Sequence, residues 1–495
     1  MQNRALNFCI SCLVFVLVAC SVYANFKMTL NDPDTGWHLA AGDLIRLSGS
    51  IPKTDPWAFT SAGTPWINLA WMWDVWMSFL HTHMGWHGMI AFFALCCGLT
   101  MALLYLACVL RTKSSMASFL VICLVIISIP IHLRSMWVSN LFLAIIFLLA
   151  MLIQYRNWNI KWWYVMPALM PLWVNVHGGF ITAFLIVGAY GLQALLARQW
   201  RTALHLCAVG LLSIAALGIG PYGYNGVFTV LYKTFTTPAL GFIGEFQPSI
   251  LSWSYLVTRL YIPIFFICAI HKKARVTLAE GILGFGLIPM AITSERYWTF
   301  VYIFSCPILA QYFTQYMHDN KDRGSKTAKR YAAALHDWLW IRHGIAAMLC
   351  TTAAIAIAIA LVFSPPIARM TQLGNFEPYD VFQPAINFIS THYPSRRFLT
   401  DYTSGGFLIA QGKGSVPVFI DGRGETAYPR ELVQDYIDFA KGKRGWERIF
   451  DRYQLDGLIL INLYDPYELS QRFGERRGFK RVFRDQAVEI YMLEK

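Results

Sequence analysis

About eleven apolar stretches, each near the twenty residues that an α-helix needs to cross a bilayer, run through this chain and confine it to an α-helical polytopic membrane protein. They fall near 5–25, 86–110, 115–132, 136–155, 162–176, 179–197, 202–219, 256–271, 276–293, 297–317 and 343–363. Only 14% of residues are charged and 56% are hydrophobic, where a soluble domain carries about a quarter charged. Many aromatic residues close these runs (Trp162, Trp163, Tyr222, Tyr224, Trp253, Tyr297, Trp298), where amphipathic rings favour the headgroup zone.

Charge orients the spans. Arg111 and Lys113, Arg156 and Lys161, Arg198 and Arg201, Lys272, Lys273 and Arg275, then Lys321, Arg323, Lys326, Lys329 and Arg330 mark one set of loops. The intervening short loops hold little beyond Arg134, Lys233 and Arg296. Positive-inside logic places the N-terminus in the cytoplasm, and an odd span count places the C-terminus outside. The net charge of +13 then needs no basic nucleic-acid patch, and nucleic acid is not an expected partner. All eleven cysteines sit in or beside apolar runs and read as buried small hydrophobes. The first apolar stretch lacks a small-residue cleavage site and reads as an uncleaved anchor.

Two longer extracytoplasmic segments, 26–85 and 220–255, interrupt a membrane domain spanning 1–364. Within the first, Gly36 to Leu47 and the Trp-rich Asn68 to Leu80 suggest short amphipathic helices lying in the interface plane and roofing a cavity. After Ser364-Pro365-Pro366 the composition turns ordinary, and 365–495 is expected to form a small extracytoplasmic α/β domain. Its strand-like runs are Arg397–Thr400, Phe407–Gln411, Val416–Asp421, Gly457–Asn462 and Ala487–Leu493. Helical runs occupy Val381–His392, Arg430–Lys441, Trp446–Tyr453 and Tyr467–Phe473. No GxGxxG, P-loop or GxSxG motif occurs there.

The first span delivers Asn31-Asp32-Pro33-Asp34-Thr35-Gly36-Trp37-His38 to the outer face, and acids at that depth are costly. One of the pair can cap the helix beginning near Gly36, with Asp34 the candidate. Either can also serve as general base on an acceptor hydroxyl, while its neighbour orients the acceptor or holds a divalent cation. The topology brings His38, Arg134, Asn175, His177, Glu245 and Arg296 to the same side as candidate substrate-binding groups. Arg296, next to Glu295, is either an interfacial ion pair or a phosphate clamp. His177 is either a satisfied core histidine or a ligand contact, with Gly178-Gly179 beside it allowing close approach. Glu245 reads first as a solvated loop carboxylate. His81, His83 and His87 lack the flanking ligands of a metal site. Asp421-Gly422-Arg423-Gly424 reads mainly as a turn after a strand, with contact to the acceptor as the alternative.

These residues resemble the GT-C class of polytopic membrane glycosyltransferases, most nearly bacterial members of unknown specificity. The shared elements are the Asp-Pro-Asp motif before Trp-His, Gly49-Ser50-Ile51-Pro52-Lys53-Thr54-Asp55-Pro56, Asn175-Val176-His177-Gly178-Gly179-Phe180, Pro221-Tyr222-Gly223 and Glu245-Phe246-Gln247. In the tail, Asp401-Tyr402, Gly405-Gly406 and Phe419-Ile420-Asp421-Gly422-Arg423 extend the likeness. The resemblance implies a polyprenyl-phosphate-linked sugar as donor, bound in a groove open to membrane lipid, and an acceptor approaching from the soluble side. It implies Asp34 or Asp32 as base, with Arg296 and His177 near the phosphate. No Trp-Trp-Asp sequence of the oligosaccharyltransferase kind occurs in the tail, which speaks against peptide acceptors.

The expectation is an inverting transferase of the bacterial inner membrane. The sequence identifies no cofactor and leaves a divalent cation open. A transporter or flippase would call for charges at mid-bilayer depth and related halves, which the sequence lacks. A non-catalytic envelope polysaccharide assembly protein is the third reading.

Overall fold

A computed structural model of the chain describes residues 4–24, 32, 34–128, 133–236, 276–293, 297–319, 382–402, 404–461, 469 and 478–494. Glu245, Arg296, the runs at 256–271 and 343–363 and the helical run at 467–473 lie outside the described residues, save Leu469.

The described chain is mostly helical with one small sheet. Helix α1 (Arg4–Ala24) is followed by α2 (Asp34–Ser48) and by α3 (Trp71–Thr112). Then come α4 (Ser115–Ser128), α5 (Met136–Arg156), α6 (Val165–Val174), α7 (Ile181–Leu196), α8 (Trp200–Ala216) and α9 (Gly223–Thr236). Further along, α10 (Leu278–Gly286), α11 (Ile288–Thr293) and α12 (Trp298–Asp319) complete the described bundle. Among the described residues, four helices are long and apolar enough to cross a membrane: Leu6–Tyr23, Trp71–Thr112, Met136–Arg156 and Gly178–Leu196.

Helix α3 is two helices joined at a kink. The Trp-rich segment is a helix of its own, 71–84, which meets the following span, 86–112, at a kink at Gly85. The φ of Gly85, 62°, is open to glycine and strained for other residues.

Helix α2 runs alongside the first half of α3, and a polar ladder with helical spacing joins them. Ser78 Oγ donates to Asp43 at 2.5 Å, and Arg46 Nη1 donates to Ser78 Oγ at 2.8 Å and to Thr82 Oγ1 at 2.7 Å. The far ends of α3 and α5 meet α10 in a second polar cluster. There Arg111 pairs with Glu280, and Tyr155 Oη donates to the same carboxylate at 2.7 Å, with both charged side chains almost wholly buried. Glu280 also completes a capping box with Thr277 at the start of α10. The bundle thus carries an acidic motif at one end and a buried Arg–Glu pair at the other.

The C-terminal unit holds α13 (Gln383–His392), β1 (Phe398–Thr400), α14 (Ser404–Gly412), α15 (Arg430–Ala440), α16 (Arg448–Arg452), β2 (Gly457–Ile461), β3 (Phe479–Arg484) and β4 (Val488–Leu493). The sheet order is β1-β2-β4-β3. Strands β1 and β2 are parallel, with Leu399 opposite Leu458, which demands the helical crossover between them. Strand β4 pairs antiparallel with β2 and forms a hairpin with β3. Two expected strands are not found as strands. Phe407–Gln411 falls inside α14, and Val416–Asp421 makes an isolated bridge from Val418 to Ala58 instead of joining the sheet.

Candidate active site at the acidic motif

Asp32, not Asp34, caps α2. Its Oδ1 accepts the Asp34 N–H at 3.0 Å and its carbonyl accepts the Thr35 N–H at 3.2 Å, satisfying donors that a helix start leaves unpaired. Arg134, just before α5, reaches both acids. Its Nε donates to Asp32 Oδ2 at 2.5 Å, and its Nη2 lies 3.4 Å from Asp34 Oδ2. Asp34 Oδ1 accepts the indole N–H of Trp37 at 3.1 Å.

Among the described residues one guanidinium faces the two carboxylates, and the site is sheltered. The Asp32 side chain is 2% exposed and that of Asp34 23%. Burial pushes the Asp34 carboxyl up to about 6, with Asp32 adding to the rise, while Arg134, His38 and the Trp37 N–H pull against it. Asp34 therefore changes charge close to neutrality and keeps an edge on solvent, as a proton acceptor requires.

His38 stacks on Trp37 with ring centroids 3.6 Å apart. Its Nδ1 is bonded to Asp74 Oδ1 at 2.5 Å, and Asn68 Nδ2 donates to the other oxygen at 2.6 Å. The Asp74 side chain is fully buried. It lies in the first turn of α3, where the positive end of the helix dipole favours an anion. Sequence reasoning misses Asp74 because it sits among tryptophans that read as an interfacial face. A lone acid in Trp-Met-Trp-Asp-Val-Trp is the available signal.

The C-terminal unit covers this motif directly. Gly36 of α2 abuts α14, since a Cβ there would overlap the Gly406 carbonyl. Gly422 abuts Asp34, since a Cβ there would overlap Asp34 Oδ1. The next residue anchors the turn. Arg423 is sealed from solvent, donating to Asp55 at 2.7 Å and to both oxygens of Asp421 at 2.9 and 2.7 Å. It lies 4.9 Å from the ring centroids of both Trp57 and Trp66. Asp55 also accepts the Trp57 N–H at 3.0 Å and the Ser61 hydroxyl. What reads mainly as a turn after a strand in the sequence is thus an interlock between the first loop and the tail.

The remaining candidates separate. The Asn175 side chain is a clasp: its Oδ1 accepts the Trp71 indole N–H at 2.8 Å, and its Nδ2 donates to the carbonyls of Pro171 and Ile219 at 2.7 and 2.8 Å. His177 Nδ1 accepts the Gly179 N–H at 2.9 Å and meets Ser139 Oγ at 2.8 Å, itself an acceptor for Trp173 Nε1. That pattern puts the ring hydrogen of the neutral imidazole on Nε2. Among the described residues no three His, Cys, Asp or Glu side chains group to hold a metal ion. Asp32 is engaged by Arg134 and by the helix cap. His81, His83 and His87 have separate neighbours: the Trp86 ring, the Phe79 carbonyl at 3.0 Å and Tyr23 Oη at 2.8 Å.

No family model matches the sequence, and no curated protein matches it. Solved structures do resemble it. The oligosaccharyltransferase of Archaeoglobus fulgidus in its apo form aligns over 93% of this chain and 70% of its own, with a TM-score of 0.51 and 11% identity. ArnT from Cupriavidus metallidurans, solved with undecaprenyl phosphate, aligns over 96% and 97% with a TM-score of 0.48 and 12% identity. The chain shares its fold with that oligosaccharyltransferase.

Proposed function

We propose that this chain is an inverting glycosyltransferase of the bacterial inner membrane, moving a sugar from a polyprenyl-phosphate-linked donor to an extracytoplasmic glycan, lipid or protein. Asp34 carries the reading: a sheltered carboxylate, raised to about 6, at one end of a membrane bundle with a glycosyltransferase fold. The acceptor hydroxyl gives its proton to Asp34, its oxygen bonds to the anomeric carbon, and the polyprenyl phosphate leaves from the opposite face. Asp32 and Arg134 hold Asp34 in place. Arg296 and His177 are assigned to the leaving phosphate, where positive charge and N–H donors stabilise the transition state. Glu245 is assigned to the acceptor side.

An apolar crevice of about 530 Å³ between α1 and α3, bordered by Phe15, Tyr23, Leu80 and Met84, offers a berth for the donor chain. In this reading about eleven spans form a membrane domain over 1–364, the N-terminus is cytoplasmic, and 365–495 is an extracytoplasmic domain.

Mass spectrometry of envelope glycans and polyprenyl-phosphate sugars tests the proposal in cells lacking the protein. A missing sugar together with accumulated lipid donor, both corrected by the wild-type chain, is the expected result. An unchanged profile would contradict transfer.

A further inference from the structure

The tail motifs Gly405-Gly406 and Asp421-Gly422-Arg423 have no chemistry of their own, yet they sit against the acidic motif. Gly422 leaves no room for a side chain: a Cβ would overlap Asp34 Oδ1 and lie 3.2 Å from the Trp37 Nε1 that donates to it. On its other side the Gly422 carbonyl accepts Tyr402 Oη at 3.3 Å. The turn cannot drift outward, because Arg423 is clamped between Asp55 and Asp421 and between two tryptophan rings. The segment before it is fastened to the first loop. Phe59 N donates to the Val418 carbonyl at 3.2 Å, and Thr60 Oγ1 donates to the Phe419 carbonyl at 2.6 Å.

We propose that the Asp421–Gly422–Arg423 turn is a wall of the catalytic cleft that sets the position of the Asp34 carboxylate, with Arg423 as a positioning residue acting through Gly422. The tail is then part of the machinery for proton removal from the acceptor, and not solely a platform for an acceptor. This rests on the assignment of Asp34 as the base. A carboxylate moved by about 1 Å loses its line to the acceptor hydroxyl, and such misplacement is worth about a hundredfold in rate.

The full-length chain tests this in the deletion strain. The readouts are lipid-donor accumulation, protein abundance and labelling by a photoactivatable polyprenyl phosphate. Gly422→Ala is expected at normal abundance with normal labelling, but with transfer lowered about 100-fold. Gly188→Ala, at a helical glycine with open space beside it, should behave as wild type. If Gly422→Ala does not accumulate, Thr60→Val decides, since it loosens the strap without touching Asp34. Transfer lowered several-fold with labelling retained supports the proposal, and wild-type transfer overturns it. A folded Gly422→Ala chain with transfer within about threefold of wild type also overturns it. Asp34→Asn, run in parallel, separates the two claims. An active Asp34→Asn chain defeats the base assignment itself, whereas an inactive one beside an active Gly422→Ala defeats the wall alone.

Discussion

Asp34 and Asp32 are two residues apart and do different work. Asp32 is committed to the helix start and to Arg134, which leaves Asp34 as the carboxylate able to accept a proton. Because its carboxyl is raised from 3.8 to about 6, transfer should fall with pH below about 6 and level off above it, in a pH–rate profile of membranes supplied with donor. The same shift carries a stability consequence. The folded state binds this proton more tightly than the unfolded state, so the stabilisation is complete below 3.8 and is lost as pH rises through about 6. Asparagine resembles the protonated acid. Asp34→Asn should therefore be inactive yet more stable than wild type at pH 7.5, by about 1–3 kcal/mol, with the difference fading towards pH 4 in thermal unfolding. Removing Asp74 is costly instead. Its removal strands the buried Asn68 amide and the His38 ring, so Asp74→Ala should cost about 2–4 kcal/mol in the same measurement.

Among the elements, close approach and bending explain glycines that hydropathy cannot: Gly36 and Gly422 at contacts, Gly85 at the bend. Gly85→Ala should relax the bend in α3 at a cost of about 1–2 kcal/mol, since an L-residue is strained at that positive φ. Most of the described bundle is legible in the sequence, because runs of apolar residues bounded by Arg and Lys leave few alternatives to spans. Three of the sheet's strands are legible too, in Phe398–Thr400, Gly457–Ile461 and Val488–Leu493. Phe407–Gln411 reads as a strand because so short an apolar run fits either period, and the tight contact of Gly406 with Gly36 goes with a helix. Strand β3 escapes a sequence reading, since its Lys480, Arg481 and Arg484 hide the alternation of a half-buried strand. The Asp-Pro-Asp motif and Arg134 are legible, since an acid behind a span and an arginine in an otherwise neutral loop stand out. The roles of Asp74, Asp55 and Arg423 are not, because their partners lie across the fold: Arg423 and Asp55 are 368 residues apart.

For the molecule as a whole, the membrane bundle and the C-terminal unit share one buried electrostatic joint. Arg423→Ala would leave Asp55 and Asp421 buried without their cation, a change expected to cost about 3–5 kcal/mol and to make the tail sensitive to limited proteolysis. The acidic motif and this joint stand at one end of the bundle, and the buried pair of Arg111 and Glu280 at the other. The central claim is that Asp34 removes the acceptor proton in transfer from a lipid-linked sugar. The most direct test is mass spectrometry of polyprenyl-phosphate sugars in the deletion strain carrying Asp34→Asn at wild-type abundance. Donor accumulated to the level of the deletion is the predicted result. Donor restored to the wild-type level would contradict the account.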